Sequence, residues 1–286
     1  GESAVLDDIP ETRFLGYDTL ETSAKVLAIV KDGERAQSAT AGDEAAVVLN
    51  QTVFYGESGG QVGDTGSMES DDAVLAVTGT TKNHAKNYLH HCKIKAGTVR
   101  VGEIVKASVD APRRRAIMRN HTSAHLLQAA LRRVLGTHVE QAGQLVDEKR
   151  VRFDFTHFAA LTDEELQKVE AMVNSVILSG TPVECREMPI EEAKKLGAMA
   201  LFGEKYGKIV RVVSVGDFSK EFCGGTHIGN TAQIGLFKII SESSVASGVR
   251  RIEAVTGTNV LERINGMQSE LNRAAAALKL NNSSEL

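Results

Sequence analysis

Three cysteines in 286 residues, at positions 92, 185 and 223, are too few and too scattered for a disulfide framework, and they suit a reducing, cytoplasmic compartment. No apolar run approaches the roughly 20 residues of a membrane span, and no secretion leader opens the chain. Gly1 rather than Met stands first, as expected of a piece of a longer protein. The one glycine-rich stretch lacks the Gly-Lys-Ser/Thr ending of a P-loop. Internal repeats and low-complexity tracts are missing too.

What is present is ordinary in amount and uneven in placement. Hydrophobic residues make up 42% and charged residues 24%, as in a globular protein. The net charge of −4 hides an asymmetry. Residues 1–110 carry 10 Lys/Arg against 17 Asp/Glu, whereas residues 111–160 carry 9 against 4. A basic segment of this kind suits a polyanion such as nucleic acid, and a solvated helix face explains it equally well.

Residues 12–110 read as β structure. Ala24–Lys31, Glu44–Leu49, Ala73–Thr80 and Tyr88–Ile94 are short runs rich in Val, Leu and Ile, separated by turn signals such as Asp32-Gly33 and Gly63-Asp64. A further hairpin is expected over residues 97–109. Many short strands at close spacing favour a small barrel or sandwich. Phe54 to Gly66 holds five glycines in thirteen residues, which reads as a β turn or as a close backbone approach to a ligand.

Asp110-Ala-Pro112 is a helix start, and the helix is expected to stop at Gly136. Residues 143–155 read as a hairpin, and Thr162-Asp-Glu-Glu165 as a capping box before a second helix. Strands are expected at 183–188, 208–215, 232–240 and 249–255, with a short helix at 189–196. From Thr258, Val260, Ile264, Met267, Leu271, Ala274 and Leu278 form a heptad seam of nearly three repeats. The fold class expected is α+β: an N-terminal small β-barrel (1–110), an α+β core with an antiparallel sheet (111–257) and a C-terminal helix (258–286).

The chemistry gathers in two pairs. His121-Thr-Ser-Ala-His125 places two imidazoles one helical turn apart, and Cys223-Gly-Gly-Thr-His227 repeats the spacing 98 residues later. Two pairs of such ligands point to zinc. Thr122, Ser123 and Ala124 leave no glutamate after the first histidine, which excludes a zincin protease. Four protein ligands can close a structural site, whereas a catalytic zinc keeps one position open. His90-His91-Cys92 is a rival cluster, but neighbours on a strand face opposite ways.

Those ligand pairs, with residues 136–146, Arg152-Phe-Asp-Phe155 and residues 248–257, resemble the editing domain of alanyl-tRNA synthetases. Glu57 to Gly66 resembles the glycine motif of the barrel before it. Related domains occur in threonyl-tRNA synthetase and in freestanding editing proteins of the AlaX type. The resemblance implies zinc on His121, His125, Cys223 and His227, and hydrolysis of mischarged Ser-tRNA(Ala) and Gly-tRNA(Ala). It implies Gln141 near the substrate and the Ser58-Gly59-Gly60 loop close to the pocket. Ala124 stands where the family often has a threonine that senses serine, leaving Thr122 and Ser123 as the nearest hydroxyls. Arg113, Arg114, Arg115 and Arg119 become candidates for phosphates of the tRNA(Ala) acceptor end. No class II activation motif is present, so the chain is not expected to charge tRNA. A tRNA-binding module with a structural zinc is the alternative. No membrane partner is expected; self-association through the last helix, or docking to a missing C-terminal domain, is.

Overall fold

Asp32 and Gly33 both take left-handed backbone angles, φ 52° and 80°. This pair of positive φ values is what a tight hairpin needs, and it joins β1 (Glu21–Lys31) to β2 (Glu34–Ala36). The computed structural model describes residues 5–201 and 204–286. Contacts divide the chain into two compact units. One holds the residues up to Ile117 together with Leu145–Glu148 and Gly224–Thr226; the other holds Met118–Gln144, Lys149–Cys223 and His227–Leu286.

In the first unit β3 (Ser38–Thr40), β4 (Glu44–Leu49), β5 (Gly66–Glu69), β6 (Ala73–Lys82), β7 (Tyr88–Arg100) and β8 (Ile104–Val109) follow. The ring β8–β5–β6–β7–β4–β1 closes by antiparallel pairing of β8 with β1, giving a six-stranded barrel. Closure leaves no free edge. Alternation fills its interior with Val26, Leu49, Phe54, Met68, Leu75, Ile94 and Val105, all buried. The hairpin expected over residues 97–109 does not form. β7 runs on through Gly97 so that its last residues pair with β3, while β8 pairs with β1 and β5. A Cβ at Gly97 would lie 1.5 Å from the Asp72 carbonyl oxygen, so only glycine lets the strand continue there.

The glycine motif is explained within this unit. A Cβ at Gly63 would sit 2.0 Å from the Thr80 carbonyl oxygen, and one at Gly66 2.1 Å from that of Ser108. Both glycines allow the backbones to close around Asp64, which is fully buried.

Next come α1 (Ala111–Leu135), β9 (Gln141–Val146), β10 (Val151–Thr156), α2 (Asp163–Ser179), β11 (Val183–Pro189), α3 (Ile190–Lys195), β12 (Ile209–Val215), β13 (Ser219–Phe222), β14 (Phe237–Ala246), β15 (Val249–Thr256) and α4 (Thr258–Ala277). The Asp110 carboxylate accepts the Arg113 amide at the start of α1, and Gly136 (φ 128°) ends it. Thr162 and Glu165 form the capping box of α2, as expected. Strands β9–β10–β15–β14 make one sheet and β11–β12–β13 another. The pairs β10/β15, β14/β15, β11/β12 and β12/β13 are antiparallel, so the α+β class is the one observed.

Two details differ from the sequence reading. Residues 231–234, expected at the start of a strand, form a 3-10 turn because Asn230 caps it and Gly235 breaks it at φ 81°; β14 begins at Phe237. On α4 Val260 and Ala275 are buried, whereas Ile264, Met267, Leu271 and Leu278 are 46–64% exposed. Among the described residues no helix is long and apolar enough to cross a membrane.

Candidate metal centre

His121 and His125 lie one turn apart on α1, and their rings stack at 5.4 Å. The turn before His121 is anchored by Asn120, whose side-chain oxygen accepts the Thr256 hydroxyl at 2.5 Å. Cys223 follows β13 directly, and its amide donates to the Arg211 carbonyl on β12 at 3.0 Å. The four side chains His121, His125, Cys223 and His227 bring one ligand atom each to within 4.8 Å of one another.

The distances inside this cluster suit a tetrahedral ion. Cys223 Sγ is 3.5 Å from His121 Nε2 and 3.3 Å from His227 Nε2. Zinc bonds of about 2.0–2.1 Å to nitrogen and 2.3 Å to sulfur imply edges of about 3.6 Å. His125 Nε2 is buried without a hydrogen-bond partner, a costly state that an ion would relieve. The other nitrogens are committed elsewhere. His227 Nδ1 lies 3.0 Å from the Thr122 hydroxyl, and His125 Nδ1 lies 2.8 Å from Glu221. A proton on each Nδ1 leaves Nε2 as the ligand.

Charge within the cluster agrees with ligation. Burial pushes the Cys223 thiol up, but His121, His227 and His125 outweigh it and hold the thiol well below its usual range. A thiolate is the form that binds metal. Burial also lowers His227, to about 3, which keeps it neutral. For His125 burial is outweighed by the Glu221 and Cys223 charges, which raise it to about 10, so an ion bound there would displace the Nε2 proton.

Other residues named from the sequence are placed as follows. Thr122 is buried and serves His227 and the Ile228 amide. Ser123 is buried and donates back to the Asn120 carbonyl. Ser58, Gly59 and Gly60 form a tight turn in the first unit, with φ 59° and 85° at the glycines and reciprocal bonds between Ser58 and Gln61. Arg114 does not meet solvent: it is 2% exposed, forks onto Asp64 and donates to the Gly16 and Val53 carbonyls. A phosphate cannot reach it. Arg113 binds the Gly63 carbonyl and Glu148, Arg119 is half-buried, and Arg115 is exposed.

Two residues at the cluster escaped the sequence reading. Glu221 is one. Gln144 is the other, with its amide nitrogen 3.4 Å from His121 Nε2. Gln141 sits three positions earlier on β9, so alternation turns it to the opposite face from Gln144. A Cβ at Gly143, on the Gln141 face, would instead lie 3.9 Å from Asp154. The signal that could have found Glu221 is its position two residues before Cys223 on a strand, which gives both the same face. The rival His90-His91-Cys92 does not converge, since His90 bonds to Thr52 and Val47 while His91 bonds to Thr81.

Residues 2–113 match the family described as tRNA synthetases class II (A), and residues 210–253 match the threonyl and alanyl tRNA synthetase second additional domain. The alanine–tRNA ligase of Acetivibrio thermocellus is 52% identical over 276 residues, 96% of this chain and 31% of that protein. Over nearly its whole length the chain is similar to part of an alanine–tRNA ligase. The ligase of Pelotomaculum thermopropionicum is 51% identical over 96% of this chain, and that of Bacillus velezensis 48% over 97%. The chain spans about a third of the length of these ligases. Within that third lie all four cluster residues, His121 and His125 on α1 and both Cys223 and His227 inside the matched second additional domain.

Proposed function

We propose that this chain is the editing part of an alanine–tRNA ligase, and that it hydrolyses the ester of mischarged Ser-tRNA(Ala) and Gly-tRNA(Ala) with the help of zinc. One observation carries the reading: three imidazole Nε2 atoms and a thiolate converge in a chain related to these ligases. A bound zinc supplies Lewis acidity, polarising an ester carbonyl or lowering the pKa of water to about 7. The chain's own residues do the rest. Thr122 and Glu221 hold two imidazoles in the ligating tautomer, and Gln144 presents an amide within 3.4 Å of His121 Nε2. Gln141 and the Ser58-Gly59-Gly60 turn are assigned to the substrate, and Arg113, Arg115 and Arg119 to the acceptor end of tRNA(Ala). A cytoplasmic setting follows from that substrate. The exposed stripe of α4 is assigned to docking, on a further part of the longer protein or on a second copy.

The test is deacylation of Ser-tRNA(Ala) by the whole chain, with and without a chelator, beside a Cys223→Ala variant. Zinc-dependent release of serine that fails in the folded variant supports the enzyme. Binding of the tRNA without any release leaves a tRNA-binding module with a structural zinc, the reading that a four-ligand site also permits. Alanylation with ATP is expected to be absent.

A further inference from the structure

The two nitrogens of His125 have different work. Nε2 is buried and unpartnered in the ligand cluster, whereas Nδ1 meets Glu221 Oε1 at 2.8 Å. An ionised carboxylate only accepts, so the proton of that bond belongs to Nδ1 and Nε2 is the nitrogen left for an ion. The Glu221 side chain is 9% exposed and its backbone is tied on both sides, by pairing with Val213 and by a bridge to Met199.

Counting charge gives Glu221 a second role. A dication with one thiolate and three neutral imidazoles leaves one positive charge in a buried place. Uncompensated buried charge is costly, and the Glu221 carboxylate brings the total to zero. Thr122, beside His227 Nδ1 at 3.0 Å, contributes no charge.

We propose that Glu221 is a positioning residue that sets the metal affinity of this centre, by fixing His125 as the Nδ1–H tautomer and by balancing the ion's charge. The inference rests on the zinc reading of the four ligands and does not depend on hydrolysis.

Zinc affinity of the whole chain, measured by competition with a chromophoric chelator, tests it, together with the absorption spectrum of the cobalt(II) form. Outer partners of metal-bound histidines are worth about 10–100-fold in affinity, so Glu221→Ala is expected to weaken binding by that factor and to change the cobalt bands. Glu221→Gln keeps an acceptor but loses the charge, and is expected to fall between, with affinity several-fold below the parent. Unfolding of the metal-free proteins is the control. If Glu221→Ala weakens only that unfolding and binds zinc as the parent does, Glu221 is a structural ion-pair partner and the proposal is overturned. If the alanine variant does not fold, the glutamine variant decides, and parental affinity there overturns it equally. Loss of zinc binding in variants of a parent that binds zinc but releases no serine would leave this inference standing and the editing function refuted. A parent that binds no zinc refutes both.

Discussion

Arg114 shows how a single side chain can be assigned the wrong task when its partner is distant in sequence. It stands in a run of three arginines, yet its guanidinium is buried against Asp64, 50 residues earlier, with both carboxylate oxygens engaged. Removing one member of a buried pair strands the other. Arg114→Ala is expected to cost about 3–5 kcal/mol, read as the shift of a urea unfolding midpoint. A loss below about 1 kcal/mol would contradict the buried pairing. His90 makes a second prediction, on pH. Burial lowers it to about 4, the Val47 carbonyl notwithstanding. The native form stays neutral as pH falls while the unfolded chain takes up a proton near 6.5, so its contribution is complete above pH 6.5 and is lost between 6.5 and 4. The loss is about 3 kcal/mol. Unfolding free energies at pH 7 and pH 4.5 should differ by less in His90→Gln than in the parent; equal losses in the two proteins would clear His90.

At the scale of elements, what could be read in advance were signals carried by neighbours in sequence. The Asp110 and Gly136 ends of α1, the Thr162–Glu165 box and the Asp32-Gly33 turn each depend on residues within a few positions. The four residues of the candidate metal cluster were legible for the same reason, since each pair sits one turn or one tight loop apart. Glu221, Gln144 and Asp64 were not, because their meaning comes from partners 23 to 96 residues away. The α4 seam is an intermediate case: the helix forms, but of the seam residues only Val260 is buried, and the buried Ala275 lies beside the seam. Val260→Ala, which removes two buried methyl groups, is expected to cost about 2 kcal/mol at about 0.8 kcal/mol each. Leu271→Lys on the exposed stripe should stay within about 0.5 kcal/mol of the parent. Thermal unfolding of both separates the two faces; a large loss from Leu271→Lys would mean that the stripe is covered in solution.

At the scale of the whole molecule, the first unit is not a continuous length of chain. It includes Leu145–Glu148 and Gly224–Thr226 as well as the residues up to Ile117. Val146 exchanges backbone hydrogen bonds with Gly60 and Val62, and the fully buried Gln61 side chain accepts the Thr226 amide at 3.0 Å and donates to its hydroxyl at 2.8 Å. Residues 1–117 made alone would lose both hydrogen bonds to Thr226, at about 1 kcal/mol each. Gln61→Leu is expected to recover part of the stability in the shortened chain and to destabilise the full one, as denaturant unfolding would show.

The segment Gly224–Thr226 is enclosed in sequence by Cys223 and His227. A recombination event with one crossover between Ile117 and Gly224 therefore cannot exchange this barrel between two ancestors while leaving its three borrowed residues matched to it. Whatever replaces the barrel must also replace the link between two ligands, or inherit a Gln61 with nothing to hold. Barrel and ligand loop are expected to pass through descent as a single heritable unit.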